Sequence, residues 1–197
     1  MGLGKTVQAL AMLSGTGAYP AIVVAPPHLM RNWEKEIARF VQKPDGSSLT
    51  VHVIKGLKPY SLPPADIYLM HYLLLRGWKE YLPEAGLPTV IFDEIQELRH
   101  SGTEKYSAAS LLAESAERVV GLSGTPIYNQ GAEIWNVVNI LDFHCLGDYE
   151  SFTREWCYGY GNRIVAKPDL LGERLRSDGL MLRRTKQEVL KELPPKR

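Results

Sequence analysis

The strongest constraint in this sequence is a set of short apolar runs that each stop on a turn or an acid. Ala21–Ala25 is continuously apolar and closes on Pro26-Pro27. Thr89-Val90-Ile91-Phe92 runs directly into Asp93-Glu94, and Arg118–Ser123 ends on Gly124-Thr125-Pro126. Thr50–Ile54 and Asp66–Tyr72 also read as strands. Continuous apolar runs of this length fit strands covered on both faces. Helical stretches separate them, so the fold class is α/β, a mostly parallel sheet with helices on both faces. Chemistry in such sheets gathers at the carboxyl ends of the strands. The proline pair, the acids and the Gly-Thr-Pro turn all fall there.

The helical stretches follow from spacing. Lys5–Leu13 has good helix formers and stops at Ser14-Gly15-Thr16-Gly17. In His28–Val41 the apolar Leu29, Met30, Trp33, Ile37, Phe40 and Val41 share one face. Arg31, Glu34, Lys35, Glu36 and Arg39 mostly fill the other face. A Leu-rich helical turn is expected at Leu73-Leu74-Leu75, and helices over Thr103–Glu117 and Ala132–Leu141. Beyond Phe143 no strand is expected. Tyr149–Trp156, Pro168–Ser177 and Thr185–Lys191 are expected to be helical there.

Composition narrows the class without choosing a partner. At 45% hydrophobic and 23% charged residues the chain is ordinary globular protein. Twenty-three Lys and Arg against 22 Asp and Glu leave a formal net charge of +1, so charge alone neither invites nor excludes nucleic acid. Two cysteines, Cys145 and Cys157, are too few for a disulfide scaffold and lack a metal-ligand pattern. No run reaches the roughly 18 apolar residues of a membrane-crossing helix. The expectation is a soluble intracellular protein, cytoplasmic or beside the nucleoid or nuclear DNA, with no membrane partner. The start also fits the short myristoylation pattern M-G-x-x-x-[ST]. That degenerate match is outranked by the reading that follows.

Three constellations carry chemistry. Gly2-Leu3-Gly4-Lys5-Thr6 opens a helix. A phosphate loop needs glycines for close backbone approach, a Lys for the β and γ phosphates and a Thr hydroxyl for Mg²⁺. The helix N-terminus adds favourable partial charge. The plain alternative is a flexible start leading into a helix. Asp93-Glu94 follows a buried strand, where an Asp can hold Mg²⁺ and an adjacent Glu can polarise water. The alternative is a pair of solvated acids that cap the next helix. In Leu122-Ser123-Gly124-Thr125-Pro126, small hydroxyl residues on a sharp turn can contact both the acid motif and a bound strand. A plain strand-to-helix turn would use the same residues.

Together these residues resemble the first motor lobe of the Swi/Snf (sucrose-nonfermenting) family of superfamily-two DNA translocases. Met1–Gln8 resembles its nucleotide loop, and Val24–Glu36, with Asn32-Trp33, resembles its motif Ia. Asp93-Glu94-Ile95-Gln96 occupies the Asp-Glu-x-His box, and Leu122–Pro126 with Asn129 resembles motif III. Leu182-Arg183-Arg184-Thr185-Lys186 and Leu193-Pro194-Pro195-Lys196 resemble the segment that closes the lobe. The likeness spans almost the whole chain and is thinnest at residues 42–65 and 143–180.

The resemblance implies a RecA-like phosphate-loop lobe over residues 1–142. It implies a helical protrusion and lobe-closing segment over 143–197. It implies ATP and Mg²⁺ as ligands and double-stranded DNA as partner. Gly2, Gly4, Lys5 and Thr6 would bind nucleotide, and Thr6 and Asp93 the metal. Lys5, Asp93, Glu94 and Gln96 would form the catalytic set. Ser123 and Thr125 would couple nucleotide state to DNA grip, and Pro27, His28 and Asn32 would meet a strand's backbone. Gln96 departs from the usual His, and Arg99-His100 from a common Lys-Asn. Gln96 can still bridge, having both donor and acceptor, but cannot titrate.

The nucleotide motif begins inside the chain's first residues, so its preceding strand is expected to be missing and one sheet edge exposed. The second lobe, which would bring arginines worth about 10³–10⁵ in rate, is also expected to be missing. The expectation is half a motor with very slow ATP hydrolysis on its own. Two other readings compete: another superfamily-two lobe, as in RNA helicases or restriction motors, and a binding module without turnover. Phe152, Trp156 and Tyr160 are spaced four apart, as a stacking surface or, more ordinarily, as core.

Overall fold

The computed structural model of the chain describes residues 3–124, 131–159 and 164–184. Within them the apolar runs become five parallel strands: β1 (Ala21–Ala25), β2 (Val51–Val53), β3 (Ile67–His71), β4 (Thr89–Asp93) and β5 (Arg118–Leu122). Their order across the sheet is β2-β3-β1-β4-β5. Register is continuous through the centre: Val24 lies between Met70 of β3 and Phe92 of β4. All five strands point the same way, so all their carboxyl ends share one rim.

Side-chain alternation divides the core in two, because successive residues of a strand face opposite sides. Ile22, Val24, Tyr68, Met70, Val90 and Phe92 face one layer. That layer contains the 3-10 segment Tyr72–Gly77 and the helices α3 (Glu104–Glu114) and α4 (Gly131–Leu141). Ala21, Val23, Ala25, Ile67, Leu69 and Ile91 face the other. There they meet Ala9, Leu10 and Leu13 of α1 (Lys5–Thr16), and Trp33 and Ile37 of α2 (Met30–Phe40). Most of the apolar stripe predicted for His28–Val41 is therefore the face that packs, but Phe40, expected on it, is exposed, and the first turn is the 3-10 segment Pro27–Leu29.

Two local expectations need correction. Helix α1 does not stop at Ser14 but runs to Thr16. Only Gly17, with φ 61°, takes the left-handed turn that ends it, and its N–H bonds back to Leu13 O at 2.9 Å. Strands also occur beyond Phe143. Cys157–Tyr158 (β6) and Ile164–Val165 (β7) form an antiparallel pair of two residues each. Pieces that short leave no periodic signal.

The helices expected at Tyr149–Trp156 (α5) and Pro168–Ser177 (α6) are present with those bounds. Thr185–Lys191 lies outside the described residues. Phe152 is fully buried beside Leu171 and Leu175 in a third core cluster, so this part of the aromatic series is core. Tyr160 lies outside the described residues. Helix α4 belongs to two cores, with Val137 and Ile140 against the sheet and Ile134 and Val138 in the third cluster.

Strand β5 is the outer strand on its side of the sheet. Among the described residues Arg118 is exposed and Val119 to Leu122 are only partly covered. Among the described residues no helix is long and apolar enough to cross a membrane.

Candidate active site

The carboxyl rim of the sheet brings Lys5 to Asp93-Glu94. Gly4 (φ 71°) precedes α1 in a left-handed conformation that glycine adopts without strain. The helix then starts at Lys5 with no side-chain cap and no acid in its first turn. Its leading N–H groups therefore keep their capacity for an anionic ligand. Lys5 Nζ lies 3.4 Å from Glu94 Oε1, with both side chains mostly covered. Thr6 follows in the same first turn and is half-buried.

Two adjacent acids are held in contrasting environments. Asp93 completes β4 and is 4% exposed. Trp33 Nε1 donates to its Oδ2 at 2.9 Å, and the Glu94 N–H donates to its Oδ1 at 3.0 Å. Burial pushes the Asp93 carboxyl above its usual value; the Trp33 bond opposes that and the Glu94 charge adds to it. Glu94 has φ 51°, an uncommon conformation for a residue with a side chain. It is followed by the 3-10 segment Ile95–Leu98, which buried Ile95 and Leu98 pin against the core. For Glu94, burial acts upward but is outweighed. The Gln96 hydrogen bond and Lys5 hold its carboxyl below the usual range. Non-glycine residues in such strained backbone concentrate at functional sites.

Gln96 links two strand ends. Its Nε2 donates to Glu94 Oε2 at 2.5 Å, and its Oε1 accepts from Ser123 Oγ at 2.7 Å. The residue expected to replace a histidine thus bridges the acid after β4 to the hydroxyl after β5. Gly124 lies beside the amine: a Cβ built there would stand 3.5 Å from Lys5 Nζ, in ordinary contact. Lys5, Glu94, Gln96 and Ser123 form one connected network across α1, β4 and β5.

The remaining expected residues divide. Pro27, His28 and Asn32 are exposed on the turn after β1 and the first turn of α2, and none of them joins the network. Gly2 and Thr125 lie outside the described residues. Arg99 donates from Nη1 to Gln96 O at 3.1 Å and lies 3.6 Å from Glu133 Oε1. Asn136 Nδ2 donates to Arg99 O at 2.7 Å, so α4 braces the acid segment from behind.

Two roles at the site escaped the sequence reading, which placed Trp33 in the motif Ia resemblance and Tyr72 at a strand end without giving either a task there. Trp33 is fully buried on Asp93 although its position marks it as ordinary core. Tyr72, the first residue past β3, donates from its hydroxyl to Asp93 O at 2.9 Å. Burial, then the charges of Asp93, Glu97 and Glu94, push its phenol well above the ordinary value, so it stays a donor. Its place at a strand's carboxyl end was the available signal.

The donor set fits a magnesium–nucleotide ligand. Among the described residues no three His, Cys, Asp or Glu side chains come together. A divalent ion here would be held by one or two protein oxygens and share the rest of its shell with phosphate and water, the ordinary habit of Mg²⁺.

Comparison with known proteins gives the family. A family model described as the SNF2-related domain matches residues 1–197. The chain is 28% identical over 209 residues to a Caenorhabditis elegans protein. That protein is named as a homologue of SWI/SNF-related matrix-associated actin-dependent regulator of chromatin subfamily A-like protein 1. The match covers 100% of the chain and 29% of that protein. It is 30% identical to a DNA repair and recombination protein RAD54-like of Drosophila yakuba, covering 100% of the chain and 28% of that protein. Among solved structures, the Sulfolobus solfataricus SWI2/SNF2 ATPase core in complex with dsDNA superposes with a TM-score of 0.75 at 27% identity. That superposition covers 98% of the chain and 41% of the neighbour. The chain thus spans under a third of the length of these curated relatives.

Proposed function

Because this chain belongs to the SNF2-related domain family, we propose that it is the ATP-binding lobe of an ATP-driven translocase on double-stranded DNA. The observation that carries this reading is the 3.4 Å approach of Lys5 to Glu94, between residues 89 apart in sequence, on the rim where α1 begins. In this reading residues 1–142 form the nucleotide-binding lobe and 143–197 the protrusion and closing segment. The protein would work in the compartment that holds the DNA.

Each residue then has a role. The glycines Gly2 and Gly4 let the backbone approach the phosphates, and Lys5 places its amine on the β and γ oxygens. Thr6 and Asp93 are the residues that would hold magnesium. When bound, that ion neutralises phosphate charge and favours departure of the leaving oxygen. Glu94, kept ionised, orients and polarises the water that attacks the γ-phosphate. In the resting network its carboxylate is held by Lys5 and Gln96. ATP would draw Lys5 onto its phosphates and leave Glu94 for the water.

Gln96 and Ser123 carry nucleotide state from Glu94 to the end of β5, with Thr125 beyond. Pro27, His28 and Asn32 form the exposed face for a strand's backbone. That contact would be phosphate-directed, so DNA affinity should fall steeply with salt. A second lobe would complete the cleft and supply arginines to the γ-phosphate.

The test is ATP turnover by the full-length protein with duplex DNA, with RNA and with neither. The expected result is strong stimulation by duplex DNA that Glu94→Gln abolishes. Stimulation by RNA alone would favour another superfamily-two motor. Nucleotide binding with no turnover under any condition would leave a binding module.

A further inference from the structure

Trp33 is fully buried, yet it spends its only polar atom on the acid of the site. The indole Nε1–H reaches Asp93 Oδ2 at 2.9 Å from a residue 60 positions away in sequence. An apolar side chain would fill the space between α2 and the sheet equally well. With one, the nearly buried Asp93 carboxylate would lose a donor, at the cost that follows any unsatisfied buried acceptor.

Geometry makes the bond more than packing. The two donors to Asp93 sit on different oxygens, Trp33 on Oδ2 and the Glu94 N–H on Oδ1. One donor per oxygen fixes the rotation of the carboxylate plane, while each oxygen keeps a further lone pair. Tyr72 secures the backbone carbonyl of the same residue. The acid is therefore immobilised at three atoms yet still able to ligate. Outer partners of this kind orient ligands to metals and are worth on the order of 10–100-fold in metal affinity.

We propose that Trp33 is a positioning residue for Asp93: its indole N–H holds the carboxylate in the orientation that accepts magnesium brought by a nucleotide. The inference rests on the reading of Asp93 as the metal-holding acid. It adds a residue whose side chain touches neither nucleotide nor metal. Because α2 also carries exposed Asn32 next to Trp33, one rigid helix joins the exposed turn to the buried acid.

The test uses two readouts on the 197-residue chain. In Trp33→Phe, binding of fluorescent ADP without Mg²⁺ should match the parent, while the Mg²⁺ needed to half-saturate the tighter binding rises on the order of 10-fold. In the parent, the indole ¹H–¹⁵N resonance of Trp33, assigned by its loss in Trp33→Phe, should move with ADP plus Mg²⁺. It should stay with ADP plus chelator, and those of Trp135 and Trp156 should stay throughout. Should Trp33→Phe fail to fold, the Trp33 resonance is the one retained in each of Trp78→Phe, Trp135→Phe and Trp156→Phe, and its response in the parent still decides.

An unmoved Trp33 resonance in a chain that binds ADP more tightly with Mg²⁺ would overturn the proposal and spare the motor reading. An unchanged Mg²⁺ requirement in a folded Trp33→Phe would do the same. Absence of any Mg²⁺-dependent nucleotide binding would overturn both.

Discussion

Strands β4 and β5 lie side by side in register and end in the same network, yet they are built differently. Every residue of β4 is buried, while β5 is exposed at Arg118 and only partly covered after it. β4 ends on an acid that burial disturbs and that needs Trp33, Tyr72 and a backbone amide to hold it. β5 is followed by a neutral hydroxyl, Ser123, which reaches Glu94 through Gln96. The contrast teaches that the charged chemistry sits where the sheet is most rigid and the relay sits near its open edge. A buried strand resists displacement because every side chain is packed on both sides. A half-covered one is freer to respond to what happens at its end.

The sharpest way to break this contrast uses the register pair Val90 and Val119. Val90→Ala empties a fully buried site and should cost about 2 kcal/mol in denaturant unfolding. Val119→Ala should cost about half as much or less, because its side chain is only partly covered. Equal costs would show that β5 is as tightly packed as β4. Next comes Gly121, where an added Cβ would stand 2.8 Å from Ile95 Cδ1 and 3.0 Å from Leu141 Cδ2. Both are side-chain ends that can move, so Gly121→Ala should cost about 1 kcal/mol or more, within the range for overpacking. A neutral result would mean that the β5 edge takes up a methyl group without strain.

Gln96→Ala cuts the link between the two strand ends. Its stability cost should be about 1 kcal/mol, the net worth of a partly buried hydrogen bond. The larger effect should fall on coupling: duplex-DNA stimulation of turnover in the full-length protein should drop more than basal turnover does. An equal loss of both would place Gln96 in the chemistry alone.

The smallest effect is at the opposite edge, where β2 is clasped rather than left open. Asp66 Oδ2 accepts from the Thr50 N–H and hydroxyl, each at 2.6 Å, and Lys43 Nζ lies 3.0 Å away. Burial acts to raise the Asp66 carboxyl, but the Thr50 bonds and Lys43 outweigh it and hold it below the usual value. A carboxyl depressed in the folded state stabilises above its unfolded value of about 3.9 and loses that contribution as pH falls through the folded value. Asp66→Asn should therefore lower Tm slightly at pH 7. The gap should close as pH drops below about 3.9. A gap that persists at low pH would mean the hydrogen bonds, not the charge, hold this edge.

How far the sequence could be read follows from the same physics. β1, β3 and β4 were readable because burial on both faces demands nearly uninterrupted apolar residues, β2 and β5 because short β-branched runs end on turn residues, and each ran to within two residues of its expected limits. The ends of Lys5–Thr16 and of α3 were less so, because a helix stops where one residue can adopt the terminating conformation, and Gly15 and Gly17 look alike in sequence. The β6–β7 pair could not be read, since two-residue strands carry no period. At the site, Lys5, Asp93, Glu94, Gln96 and Ser123 stood out as residue types with chemistry at strand or helix ends, and they meet. The roles of Trp33 and Tyr72 did not, because their apolar rings satisfy the core pattern and their polar atoms become meaningful only when distant segments are brought together.

The most direct test of the central claim, that Lys5 and the Asp93-Glu94 pair form one magnesium–nucleotide pocket, is titration of this chain with fluorescent ADP. It is run with and without Mg²⁺, for the parent, Lys5→Ala and Asp93→Asn. Saturable binding that Mg²⁺ tightens is expected, lost in Lys5→Ala, and in Asp93→Asn retained but no longer improved by Mg²⁺. Binding that is indifferent to both substitutions in folded protein would contradict it.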